Sequence, residues 1–253
     1  MKNIVETILD RRSVRRYERQ PIEEEKKQLI YDAINSAPTS HNGQQFSVIA
    51  IEDQELKEKI YELTKQKQIK TCALFLVFCS DYHKLDVFAK SKGMELPPIH
   101  QTIDGICVGY VDAAIAMSNA RVMAEGLGLG CCCIGYIRTA APEELSQLLG
   151  LPQGVAIVCG LTIGYPRQIP DIRPKQEQAL FIHHNRYSDE GMVERLEKYD
   201  HIIAQHNATH TLADYIKWSK QMEDYYHESM GKHTLAYLQS QGYGVDKERG
   251  IKE

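Results

Sequence analysis

The chain has 253 residues, 43% of them hydrophobic and 25% charged, with a net charge of −4. That is ordinary globular composition, enough chain for one large core, and it excludes collagen, a bare coiled coil and a disordered chain. The acidic balance gives no global field for nucleic acid, so any basic function is local.

The first residues, from Met1 to Glu6, lack the apolar core of a targeting signal. Ile4, Val5, Ile8 and Leu9 recur at helical spacing and lead into Arg11-Arg12-Ser13-Val14-Arg15-Arg16. Pro21 precedes a second helix. Its first turn carries Glu23, Glu24 and Glu25, where the helix dipole favours anions, and Leu29, Ile30, Ala33, Ile34 and Ala37 line its inner face. Pro38-Thr39-Ser40-His41-Asn42-Gly43 is a polar turn, followed by a strand over Phe46 to Ile51. Residues 53–64 form a helix with Leu56, Ile60 and Leu63 on one side. The continuous apolar run from Ala73 to Cys79 is a strand buried on both faces.

A long helix from about Ile103 to Gly126 carries Ala113, Ala114, Ala116, Ser118, Ala120 and Ala124. These small side chains let another backbone approach, so the helix belongs at the centre of the fold or at a subunit contact. The run Gly126-x-Gly128-x-Gly130 ends it and a strand follows through Cys131 to Gly135. These glycines follow a helix rather than opening one, so they are no dinucleotide fingerprint. Pro142 opens a helix that Gly150 closes, and Gly154 to Gly164 is another buried strand. The longest uncharged run, Leu145 to Pro166, is interrupted by Pro152 and four glycines. It reads as helix end, turn and strand, not as a membrane span. The element order indicates a three-layer α/β or α+β sandwich. Residues 165–187 read as an extended arm. Residues 189–241 carry helices marked by Tyr215, Trp218, Met222 and Tyr225, and nothing suggests a second core.

Four arginines in six residues at a helix end either compensate the helix dipole or grip a phosphate. Pro170-Asp171-Ile172-Arg173-Pro174-Lys175 is either a solvated loop or a second pair of phosphate cations. Seven cysteines without a CxxC pair fit neither a disulfide framework nor a zinc site. They read as small buried hydrophobes in a reducing cytoplasm. His206 and His210 have helical metal-ligand spacing but no accompanying carboxylate set, and no metal site is assigned.

Taken in order, four motifs resemble the nitroreductase family. They are Arg11 to Tyr17, Ile134-Gly135-Tyr136-Ile137-Arg138, Gly160 to Pro166, and Pro170 to Lys175. The likeness is to the subgroup of the major oxygen-insensitive nitroreductase and the NADPH–flavin oxidoreductases. It covers residues 3–245, and Tyr237-Leu238-x₃-Gly242-Tyr243 is similar to that subgroup's ending. The resemblance implies a three-layer sandwich with a central, mainly antiparallel sheet. Residues 1–165 would form the core, and residues 166–253 an arm and helical excursion of the same domain that embraces a homodimer partner. It implies FMN as cofactor and NADPH or NADH as co-substrate. A two-step hydride transfer would reduce nitroaromatics, quinones, free flavin or other small flat acceptors, with no nucleic-acid or membrane partner.

The resemblance assigns roles by position. Arg11, Arg12 and Ser13 match residues that hold the FMN phosphate and ribityl chain. Arg15 matches the cation at the pyrimidine end of the ring, where it would stabilise the reduced flavin. Ser40 and Gln44 match a serine-rich flavin loop, and Gln66 matches a glutamine that bonds the ring. Ile134 and Gly135 match the backbone beside the reactive nitrogen, and Arg173 and Lys175 match the second phosphate pair. No side chain is assigned as catalytic, since the flavin carries the chemistry. The chain departs from the subgroup at Thr39 to Gly43, at Cys131-Cys132-Cys133, and after Tyr199-Asp200. There, residues 201–210 contain no arginine or lysine where an arginine-rich, NADPH-selecting loop is usual. A flavin- or nucleotide-binding redox sensor without turnover is the alternative, and a dehalogenase or flavin-fragmenting branch of the superfamily is the runner-up enzyme.

Overall fold

The computed structural model describes residues 3–210, 216–228 and 233–244. Tyr215, one of the aromatic markers above, lies outside them. The chain divides into two compact units: residues up to Pro170 together with those from His233 onward, and residues Asp171 to Lys232.

The first unit is built on one antiparallel sheet in the order β1-β2-β4-β3, with β1 Phe46–Ile51, β2 Leu74–Asp81, β3 Gly130–Ile134 and β4 Val155–Gly164. Every residue of β2 and β4 is buried, as their unbroken apolar runs predict. Because successive side chains alternate, Leu74, Leu76 and Phe78 enter one core and Phe75, Val77 and Cys79 enter the other. Helices α2 (Glu24–Asn35) and α6 (Ile103–Gly126) cover the first face. On α6, Ala113, Ala116, Ala120 and Ala124 are fully buried. A Cβ on Gly109 would lie 2.0 Å from the Ser80 hydroxyl of β2, so the small residues do permit the close approach expected of them. Helices α3 (Gln54–Thr64), α4 (Lys67–Thr71) and α7 (Pro142–Leu148) stand on the other side, giving the three layers. The short α1 (Ile4–Leu9) packs on α6, and α5 (His83–Ser91) follows β2. Neither α4 nor α5 was legible in the sequence.

The pairing of β2 with β4 slips at Phe78/Cys79, whose partners are Cys159 and Ile157, so Val158 bulges out of the ladder. Backbone groups freed from a ladder must find other partners. Ile157 N–H donates to the Tyr237 hydroxyl at 2.8 Å. Arg138 Nη1 donates to Val158 C=O at 2.8 Å. Tyr237 belongs to α10 (Thr234–Ser240), which returns to the first unit after the second. Tyr237 is fully buried beside Ser146, and Tyr243 is buried with its hydroxyl donating to Gly154 C=O at 3.0 Å.

The second unit holds α8 (Met192–Thr209) and α9 (Trp218–Glu228), which pack together. Within it, the Tyr199 and Trp218 rings meet edge-on at 5.9 Å.

Candidate functional site

The arginine segment after α1 is extended and borders the sheet. Val14 N–H donates to Cys131 C=O at 2.8 Å, Glu18 N–H to Tyr165 C=O at 2.8 Å, and Arg167 N–H to Arg16 C=O at 3.0 Å. Isolated bridges join Ser13 to Cys131 and Tyr17 to Pro166. Two glycines make this seat. A Cβ on Gly130 would stand 2.8 Å from the Val14 side chain, and one on Gly164 would stand 2.9 Å from the Tyr17 ring. The buried Tyr17 hydroxyl donates to Val14 C=O at 2.7 Å and lies 2.8 Å from Thr162 Oγ1. Burial pushes the Tyr17 phenol well above its ordinary pKa, so it remains a neutral donor.

This backbone fixes the cations. Arg11 Nη1 donates to Ser13 Oγ at 3.4 Å. Arg15 stands near the Cys132 thiol, whose pKa is raised by burial and pulled the other way by Arg15 and Arg11. Arg12 Nε is buried and has no hydrogen-bond partner among the described residues. A buried orphan donor within a row of cations and a serine hydroxyl fits the oxygens of an anionic group such as the FMN phosphate.

Ser40 and Gln44 lie on the loop between α2 and β1. The backbone is left-handed at His41 (φ 50°), Asn42 (φ 53°) and Gln44 (φ 52°). Surrounding contacts must impose that conformation on residues that carry a side chain. The contacts come from Asp112, an almost fully buried carboxylate in the middle of α6. Its two oxygens accept from Ser40 N–H at 3.1 Å and Gln45 N–H at 3.3 Å. Thr39 Oγ1 accepts from Gln44 N–H at 3.1 Å. Gln66 joins α3 to α4 and its Oε1 accepts from Gln68 Nε2 at 2.8 Å. Ile134 ends β3 as a buried residue and Gly135 follows it exposed. All seven cysteines are free, but Cys107 and Cys133 are exposed, which corrects the expectation of seven buried ones.

A cleft of about 890 Å³ opens beside Arg15, lined also by Arg16, Lys65, Lys67, Gln68 and Arg167. The sequence reading missed Lys65, Lys67, Arg167 and Asp112. Two signals were available: the two lysines flank Gln66, and Arg167 directly follows the Gly160–Pro166 motif.

Arg173 and Lys175 stand on the second unit. Their segment is held there by Arg173 Nη2 donating to Gln221 Oε1 at 3.0 Å, Tyr199 hydroxyl donating to Pro174 C=O at 3.1 Å, and the pairing of His210 Nε2 with Asp171 Oδ2 at 2.9 Å. The rings of His206 and His210 lie 4.3 Å apart.

Comparison with known proteins bears on this arrangement. Residues 8–165 match the nitroreductase family and residues 173–246 match the nitroreductase family C-terminal domain. The chain is similar to a Bacillus subtilis (strain 168) protein named FMN reductase, NAD(P)H. The two are 33% identical over 98% of this chain and 100% of that protein. It is similar to the oxygen-insensitive NADPH nitroreductase of Salmonella typhimurium, 31% identical over 97% of this chain and 100% of that one. Among solved structures, B. megaterium NfrA2 superposes with a TM-score of 0.92 at 33% identity, covering 98% and 100% of the two chains.

Proposed function

The chain belongs to the nitroreductase family, and on that premise we propose that it is an FMN-dependent NAD(P)H oxidoreductase reducing nitroaromatics, quinones or free flavin. FMN, when bound, supplies a ring that accepts a hydride from the reduced dinucleotide and passes reducing equivalents to the acceptor. The chain's own residues bind, orient and tune. Arg11, Arg12 and Ser13 hold the phosphate and ribityl oxygens. Arg15 is a fixed positive charge at the pyrimidine end that favours electron density arriving there. Ser40, Gln44 and Gln66 offer polar atoms to the ring, and Ile134 and Gly135 offer backbone. Arg173 and Lys175 are proposed as further phosphate cations, and protons come from solvent.

The observation that carries this reading is the arginine segment itself. Its backbone is clamped to β3 and to the residues that follow β4, its buried Arg12 Nε is orphaned, and its Arg15 stands near Cys132. The proposal includes a homodimer, in keeping with the family, and a reducing cytoplasm, which seven free cysteines support. Among the described residues no helix is long and apolar enough to cross a membrane.

The deciding experiment is an anaerobic absorbance spectrum of the purified protein before and after NADPH or NADH. Flavin bands that bleach, then recover when a nitroaromatic or quinone is added, are expected. A protein that takes up no FMN, or whose flavin neither nucleotide bleaches, would defeat the proposal.

A further inference from the structure

A second cleft, of about 1120 Å³, opens at one end of the sheet, beside the last residue of β1 and the first of β2. Residues 17–21, α3 and the chain entering β2 bound it. Tyr17, Thr71 and Arg167 line both this cleft and the one beside Arg15, whereas Arg15, Gln68 and the two lysines that flank Gln66 line only the other.

The residue that sets this cleft apart is Lys57. Lysine is almost never fully buried unless its charge is paired. Lys57 is 4% exposed, and its Nζ donates to a neutral acceptor, Cys72 C=O, at 2.9 Å. No carboxylate pairs with it among the described residues. Acids are present in the same cleft, but on its exposed rim and turned to other partners. Glu52 pairs with Lys27 at 3.0 Å, and Glu58 accepts from the neutral Gln54 at 3.0 Å. Arg19, Lys70 and Arg167 also line the cleft, and none of them is in an ion pair among the described residues. Lys70 Nζ stands over the Tyr61 ring at 4.0 Å, a contact that brings it no counter-ion. A carbonyl satisfies one N–H of Lys57 but does not neutralise its charge. A buried cation that lines a cleft is stabilised by an anion entering it. Lysine has two more N–H donors to offer, and arginine adds a planar fork that matches phosphate.

We propose that this cleft is a site for a compact phosphate group, separate from the flavin site, with Lys57 at its floor and Arg19 and Lys70 at its rim. The group is either inorganic phosphate or the phosphate of a small monoester. Glu18, Glu52 and Glu58 on the rim repel an extended polyanion, so the ligand carries its negative charge in one place. The site does not depend on the oxidoreductase reading above.

The test uses the FMN-loaded protein, so that the flavin's own phosphate site is filled, together with Lys57→Met, Arg19→Gln and Lys70→Gln. Methionine keeps the apolar stem of Lys57 and removes its charge. Binding of inorganic phosphate and of glycerol 3-phosphate is measured by calorimetry at ionic strength matched with chloride. The unsubstituted protein is expected to bind. Arg19→Gln and Lys70→Gln are each expected to weaken binding by about tenfold, and Lys57→Met by more. Tighter binding of the ester assigns the site to a monoester, and tighter binding of inorganic phosphate assigns it to the free ion. An unsubstituted protein that binds neither, or affinity unchanged in Arg19→Gln and Lys70→Gln, overturns the proposal. So does flavin absorbance lost in step with phosphate affinity, because the cleft would then belong to the flavin. Thermal midpoints separate binding from a purely structural lysine. Phosphate is expected to raise the midpoint of the unsubstituted protein and not that of Lys57→Met. An equal rise in both reduces Lys57 to a partner of Cys72 C=O and overturns the site. If Lys57→Met does not fold, the two rim variants decide.

Discussion

The Tyr17 hydroxyl sits 2.8 Å from Thr162 Oγ1, tying the arginine-bearing segment to the interior of the longest strand in the sheet. Thr162 in turn donates to Cys132 C=O at 3.2 Å, so one short chain of hydrogen bonds joins the segment, β4 and β3. Tyr17→Phe keeps the ring and removes the link. We expect a loss of about 1–2 kcal/mol in stability, the usual cost of leaving buried partners unpaired. Urea unfolding monitored by circular dichroism measures it, and an unchanged midpoint would contradict the role.

Gly130→Val places branched carbon where Val14 already stands, since even a Cβ would come within 2.8 Å of that side chain. Overpacking of this kind costs about 1–3 kcal/mol. The displaced segment carries Arg11 to Arg15, so FMN retention on gel filtration is expected to fall together with the thermal midpoint.

Arg15→Ala removes the guanidinium that stands near Cys132. A charge-assisted hydrogen bond is worth about 1.5–3 kcal/mol, so FMN affinity is expected to fall by a factor of about ten or more. Arg173→Ala, on the second unit, is expected to weaken flavin retention as well. Fluorescence titration with FMN checks both, and full occupancy in either variant would count against that residue.

Asp112→Ala deletes the carboxylate that accepts from Ser40 and Gln45 N–H. The left-handed conformations at residues 41, 42 and 44 then lose their restraint. Stability is expected to drop by about 2–3 kcal/mol, and hydrogen exchange at Ser40 and Gln45 to accelerate. Asp112→Asn, which keeps one acceptor oxygen, is expected to recover part of the loss.

His206 and His210 are expected to titrate apart. His210 is raised above the ordinary 6.5, chiefly by its bond to the His206 carbonyl and then by Asp171. His206 is lowered, chiefly by burial and then by His210 and Arg173. The contribution of protonated His210 is fully present below 6.5 and is lost as pH rises through its raised folded value. Neutral His206 contributes the opposite trend, with stability lost as pH falls through the interval between 6.5 and its lowered value. NMR titration of the ring protons reads both, and His210→Gln is expected to move His206 back toward 6.5.

Long apolar runs and small-residue spacing were enough to place β2, β4 and α6, because burial on two faces leaves a mark in consecutive residues. Helix α5 left none: Leu85, Val87 and Phe88 are all exposed, so its apolar positions do not trace one inner face. The arginine segment was legible because its cations are contiguous. The cleft beside Arg15 was not, since its lining residues are far apart in the chain: the pairing of residues 16–18 with 165–167 brings Arg167 to Arg16, and α4 supplies Lys67. Asp112 is the one acidic residue between Asp104 and Glu125 in a helix rich in small and apolar residues. Its purpose depends on a loop far earlier in the chain.

The first unit is closed by residues that come after the second. Tyr237 and Tyr243 fill its interior and satisfy backbone groups of β4 and the turn before it, yet they are translated only after Asp171 to Lys232. On the ribosome the sheet must therefore wait with its core unplugged while the whole intervening unit emerges. A nascent chain arrested before α10 would be protease-sensitive throughout the first unit. Quality control that acts on the growing polypeptide would meet an exposed apolar hollow until the chain has passed residue 243.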